Sequence, residues 1–143
     1  MDNRLTTPTI ALRVALGLMA TLAGLDKFFN LLADWSSYIA PAALHVLPVS
    51  GQVLMSIVGI VEFAVGLTIL VVRPALGAYV ASAWLVLVAV NLVMGGHFDI
   101  AVRDVVLAVA AFAAARLLEV QQESAVTTTT RVGAPLATSI SRA

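Results

Sequence analysis

The chain has no cysteine, only 11% charged residues and only two histidines. The missing thiol excludes a dithiol mechanism, thiolate metal sites and disulfides. The scarcity of charge is more restrictive. Of 143 residues 61% are hydrophobic, with a mean hydropathy of +1.02. A water-soluble domain could not cover that much apolar surface with so few charges. Lipid is the solvent these proportions call for. Net charge is zero and the pI is about 6.7, so there is no basic footprint for nucleic acid. A glycine-rich phosphate loop, a nucleophile triad and a haem-type pair of transmembrane histidines are also missing. His45 and His97 fall in expected loops with no ligand-spaced companion, which gives no metal site.

What is there is apolar length. A helix needs about 20 mostly apolar residues to cross the hydrocarbon layer. Four stretches meet that, about 9–32, 52–72, 75–95 and 100–118. The expected fold is therefore all-α, a four-helix transmembrane bundle within residues 1–118. Arg73-Pro74 should end the second helix, because proline breaks a helix and disfavours helix just before it. Gly95-Gly96-His97 should separate the third from the fourth. Both turns are short, so consecutive helices become antiparallel neighbours. The longer connection Ala33 to Gly51, "DWSSYIAPAALHVLPVSG" over its later part, predicts a short surface-lying or partly re-entrant segment. Trp35 and Tyr38 would serve it as interfacial anchors. Residues 119–143 are polar and low in complexity, and predict a disordered cytoplasmic tail. The first apolar run contains Arg13 and continues past Gly24, which argues for a retained helix rather than a cleaved signal peptide. Arg4, Arg73, Arg116 and Arg131 fall on one side of these spans. Positive-inside counting then puts both termini in the cytoplasm of a multi-pass protein of a bacterial-type cell membrane.

Charges inside the spans carry the functional argument, since each costs about 2.5–3.5 kcal/mol at mid-bilayer on insertion scales. Glu62 sits near the middle of the second span, on the face of Gly59 and Gly66, and should point into the bundle. Helix one offers Arg13, Gly17, Gly24 and Lys27 along one stripe, with Asp26 and Asn30 spaced as an i,i+4 pair beside it. Helix three aligns Gly77, Trp84, Asn91 and Gly95. Helix four opens with Asp99, Arg103 and Asp104, where Arg103 opposes the helix dipole and needs carboxylates. By depth, Asp26, Lys27, Asn30, Asn91, Asp99, Arg103 and Asp104 should form one polar cluster in the outer leaflet. Glu62 should lie deeper, with Lys27 and Arg103 as partners from above or Arg13 from below. Arg103 with Asp99 or Asp104 reads as a structural pair, close enough to the interface to snorkel. Glu62 is too short to snorkel, which makes it the candidate proton carrier, with Asp104 second. Arg13, Lys27, Asn91, Arg103, Asp26, Asn30 and Trp84 are the candidate binding residues.

"ALRVALGLMATLAGLDKF", "VGIVEFAVGL", "RPALGAYVASAWL" and "HFDIAVRDVVLAVAAFAAARL", in this order and spacing, resemble the DoxX family of small four-helix membrane proteins. The likeness covers about Ala11 to Leu118. That family takes its name from a subunit of a thiosulfate:quinone oxidoreductase, and relatives act as membrane partners in redox-stress complexes. The resemblance implies membership, a link to quinone, and polar family positions at Arg13, Lys27, Glu62, Asn91, Arg103 and Asp104. No redox cofactor motif is visible in the chain itself, so the fold-level likeness does not supply catalysis.

Three functions follow as expectations. The first is a subunit or accessory partner of a quinone-linked membrane redox complex, with carboxylates that relay protons. The second is a non-enzymatic membrane scaffold that stabilises another membrane or redox protein through small-residue faces. The third is a small proton-coupled carrier, for which four helices leave little room without a homo-oligomer. The first is preferred, narrowly over the second.

Overall fold

The computed structural model describes residues 3–46 and 48–133. Among them 86% of the structure is helical by the same measure that finds no strand. The long helices are α1 (Asn3–Asp26), α3 (Gly51–Leu67), α4 (Pro74–Met94) and α5 (Phe98–Gly133), with the short α2 (Pro41–Val46) between α1 and α3. A 3-10 turn, Trp35–Tyr38, precedes α2, and a π-turn, Thr68–Val72, extends α3.

The punctuation is local chemistry. Helix α1 ends before the expected Leu32: Asn30 has φ of +51°, and its amide donates to the Asp26 carbonyl at 2.7 Å. This is the left-handed helix stop that asparagine tolerates. Ser50 caps α3 by accepting from the Val53 amide at 3.3 Å. Pro74 opens α4, where its missing N–H costs nothing. Gly96 adopts φ of +82°, and the His97 amide reaches the Leu92 carbonyl at 2.8 Å while the Gly96 amide reaches Val93 at 3.1 Å. Those two bonds make the paired C-terminal closure of α4, and only glycine takes that left-handed position without strain.

The bundle consists of two tight pairs. Helices α1 and α3 meet through glycine: a Cβ on Gly24 would lie 2.5 Å from the Phe63 nitrogen and 2.6 Å from the Gly59 oxygen. No side chain fits there, so the two backbones touch. Helices α4 and α5 meet through alanine, with Ala78, Ala111, Ala114 and Ala115 all fully buried. Small residues at such contacts are how helices pack when lipid removes the hydrophobic drive. The pairs join at one end around Leu16, Val65, Ile69, Ala81, Ala111 and Ala114.

The outer surface is apolar. Leu22, Ile60, Leu76, Leu87, Val102 and Val109 are all at least half exposed. Leu5–Asp26, Gly51–Val72 and Pro74–Met94 are long and apolar enough to cross a membrane, and only 22–28% of each apolar window is buried inside the protein. An exposed apolar belt of that extent is compatible with lipid against it. The fourth expected span, within α5, is not among those three.

Helix α5 also corrects the expected boundary at Leu118, since it continues to Gly133. Residues 119–125, "EVQQESA", are good helix formers almost throughout, and the Arg116–Glu119 pair at 2.8 Å spans the former boundary. The remainder of the expected disordered tail, 134–143, lies outside the described residues.

Candidate functional site

Between the two helix pairs lies a cavity of about 900 Å³. Its walls are Leu, Val, Ile, Ala and Met side chains from α1, α3, α4 and α5, and its polar residues gather toward the end covered by the 33–50 connection. Leu16, Val65 and Ala81 belong both to the wall and to the packed core that closes the other end.

The close approach of Gly24 and Gly59 positions the central pair. With the α1 and α3 backbones in contact there, Lys27, just beyond the end of α1, reaches along α3 to Glu62, and its Nζ lies 2.5 Å from Glu62 Oε2. The two side chains are 5% and 14% exposed, so the pair is a desolvated one. Trp84 Nε1 donates to the other carboxylate oxygen, Oε1, at 3.4 Å. The ammonium also lies 3.9 Å from the centroid of the Trp35 ring, a cation–π contact. Glu62 thus has Lys27 as its partner among the three cations expected.

Asp104 is the second carboxylate bordering the cavity, and Arg103 reaches its Oδ1 through Nε and Nη2, both at 3.0 Å. Arg103 itself is 61% exposed and keeps its remaining N–H groups free for an acceptor. Asn91 also borders the cavity, but its amide is spent: Nδ2 donates to the Tyr38 carbonyl at 2.8 Å and Oδ1 accepts from the Ala40 amide at 3.1 Å. It fastens the cap to α4. His97 helps from the next loop, with Nε2 3.2 Å from the Ser37 carbonyl and its ring edge-on to Tyr38.

Of the expected site residues, Lys27, Glu62, Trp84, Asn91, Arg103 and Asp104 come together around one cavity. Three do not. Arg13 does not pair with Glu62; Nε donates to the Ile69 carbonyl at 3.0 Å and Nη2 to that of Leu70. The Arg73 amide bonds to the Thr68 carbonyl rather than to that of Ile69, and Pro74 has no N–H to offer Leu70, so the guanidinium satisfies two carbonyls left open at this helix end. Asp26 is buried, but it is a turn organiser, accepting from the Leu31 and Leu32 amides at 3.0 Å and from Trp35 Nε1 at 2.7 Å. Asn30 is the exposed left-handed stop rather than a side-chain partner of Asp26.

Trp35 and Tyr38, the expected interfacial anchors, also line the cavity. The signal for Trp35 was its place nine residues after Asp26, across a turn that the Asp26–Asn30 spacing could have announced. Among the described residues every buried side-chain nitrogen and oxygen has a partner. Comparison with protein-family models, curated proteins and solved structures gives no match.

Proposed function

We propose that this chain is a four-span, DoxX-like membrane bundle that holds an amphipathic, quinone-type ligand, as a subunit or accessory partner of a membrane redox complex. The observation that carries the reading is the cavity itself, about 900 Å³ of apolar wall with the Lys27–Glu62 pair at its polar end. Pockets of that size and character hold ligands with a large apolar body and a few fixed polar contacts. Lys27 and Arg103 are the residues that would hold acceptor oxygens of such a head group. Lys27 spends one of its three N–H groups on Glu62, and Arg103 retains part of its fork. The cavity's cations and carboxylates pair one to one, Lys27 with Glu62 and Arg103 with Asp104, which suits an uncharged polar head. Helix α5 serves as the fourth span in this reading, with its charges at the membrane faces and both chain termini on the cytoplasmic side.

The test is mass spectrometry of the natively extracted protein with its lipids and quinones. A stoichiometric quinone that is lost on Glu62→Gln supports the reading. That variant keeps an acceptor oxygen for Lys27, and the Trp35 ring still faces the ammonium, so the bundle should remain folded. Full retention of the ligand by a folded Glu62→Gln protein removes Glu62 from the site, and the absence of any quinone from the wild type removes the quinone. Reporter fusions within 43–49 and after residue 142 should report opposite compartments; the same compartment for both would sink the four-span topology.

A further inference from the structure

Lys27 is the only lysine of the chain; the seven other cationic side chains are all arginine. Its setting is one that would suit arginine better if pairing were the whole purpose. A guanidinium meets a carboxylate with two parallel bonds and stacks on an indole more readily than an ammonium does. The chain places its one primary-amine side chain there instead. That amine is buried, 2.5 Å from Glu62 Oε2 and 3.9 Å from the Trp35 ring centroid, and it borders the apolar cavity. A lysine desolvated in an apolar pocket is a setting for carbonyl chemistry, which a guanidinium cannot perform, and the adjacent carboxylate is a proton acceptor for its ammonium.

We infer that Lys27 is a covalent capture site for a long-chain aldehyde, which condenses with its ε-amine to an imine while Glu62 moves the protons and remains as counter-ion. The inference stands on the cavity and the lysine, independently of the redox reading. The step balances. The ammonium passes one proton across the 2.5 Å contact to Glu62, and the amine lone pair forms the C–N bond to the aldehyde carbon. The carbonyl oxygen becomes the carbinolamine hydroxyl by taking a second proton from the nitrogen, which keeps the third. That oxygen leaves as water, taking the proton from Glu62, as the nitrogen lone pair forms the C=N bond. The products are a protonated imine, one water and a Glu62 carboxylate facing the new cation. No oxidant or reductant is consumed. Trp84, donating to Oε1, keeps the carboxylate turned toward the amine. The apolar walls select the chain of the aldehyde, since the amine is reached through them.

The experiment uses the full chain in phosphatidylcholine vesicles, whose lipid contributes no primary amine. Dodecanal and sodium cyanoborohydride are added at neutral pH, and the reduced adducts are located by peptide mapping. The N-terminal amine is the internal reference, so the measurement needs no variant. Adduct at Lys27 is expected to form at least tenfold faster than at the N-terminus, a preference lost in SDS-unfolded protein and lost with acetaldehyde. Glu62→Gln, checked for folding by circular dichroism, should slow the Lys27 adduct at least tenfold and leave the N-terminal rate alone. Equal labelling of the two amines in folded protein would overturn the proposal. So would a Lys27 rate indifferent to chain length, or one unchanged by Glu62→Gln.

Discussion

At the capped end of the bundle, Lys27, Glu62, Arg103 and Asp104 border a cavity. At the opposite end Arg13 is spent on two backbone carbonyls, and Tyr79, Arg116 and Glu119 close on one another, with the Tyr79 hydroxyl 2.9 Å and Arg116 Nη1 2.8 Å from Glu119 Oε2. Tyr79 further packs edge-on against Phe112 at 5.8 Å. Both ends carry cations, carboxylates and aromatics. What separates them is the packing between: the second end is sealed by Ile69 and its alanine neighbours, whereas the first leaves space next to its charges. A charge in a helix therefore points to a site only where packing leaves room for something else to reach it.

The sharpest way to break this comparison is to strand one charge at the capped end. Lys27→Met leaves Glu62 buried without a cation, and denaturation in detergent should show a loss of about 3–5 kcal/mol. The double variant Lys27→Met, Glu62→Met should recover most of that loss; if it does not, the pair is more than mutual compensation. Gly24→Ala comes next. Its methyl would collide with the backbone of α3, and thermal melts should show a cost of about 1–3 kcal/mol with weakened cavity binding, because the same contact brings Lys27 to Glu62. Arg13→Met, at the other end, exposes the Ile69 and Leu70 carbonyls and should cost about 1–3 kcal/mol. Ligand retention per folded molecule should stay at the wild-type level. A selective loss of ligand in Arg13→Met would erase the distinction between the ends.

Two further changes sharpen the contrast. Arg103→Gln takes the cation from the buried Asp104 but leaves it an amide donor, and should cost about 1–3 kcal/mol while weakening retention of a ligand with acceptor oxygens. Truncation after Val120 removes the polar part of α5, in which Gln121 Nε2 donates to the Leu5 carbonyl over a long 3.4 Å. Melting in detergent should shift by less than about 0.5 kcal/mol. A larger loss would show that the extension packs on α1.

Much of the architecture was legible because it rests on near-neighbour chemistry. Arg73-Pro74 and Gly95-Gly96 break the helices where proline and left-handed glycine must. Glu62 faces inward because Gly59 and Gly66 share its side of the helix. What stayed hidden depends on distances along two helices at once. Lys27, Arg103 and Arg13 were equal partners for Glu62 until the Gly24–Gly59 contact set the register of α1 against α3. The π-turn that claims Arg13 has no residue signature of its own, since "TILVV" is as apolar as the helix before it. The run of α5 past Leu118 was masked by Thr-rich composition further on, although its first residues favour helix.

The chain contains two tryptophans, and both line the cavity with their indole nitrogens directed to carboxylates, Trp35 to Asp26 and Trp84 to Glu62. Nothing at the sealed end contributes an indole. The intrinsic ultraviolet emission of this protein is consequently a built-in optical gauge of one site. A chromophoric occupant quenches it by proximity, and a change in the charge of Glu62 shifts the colour of Trp84. Occupancy can be followed without a label, and the other half of the molecule stays dark in that signal.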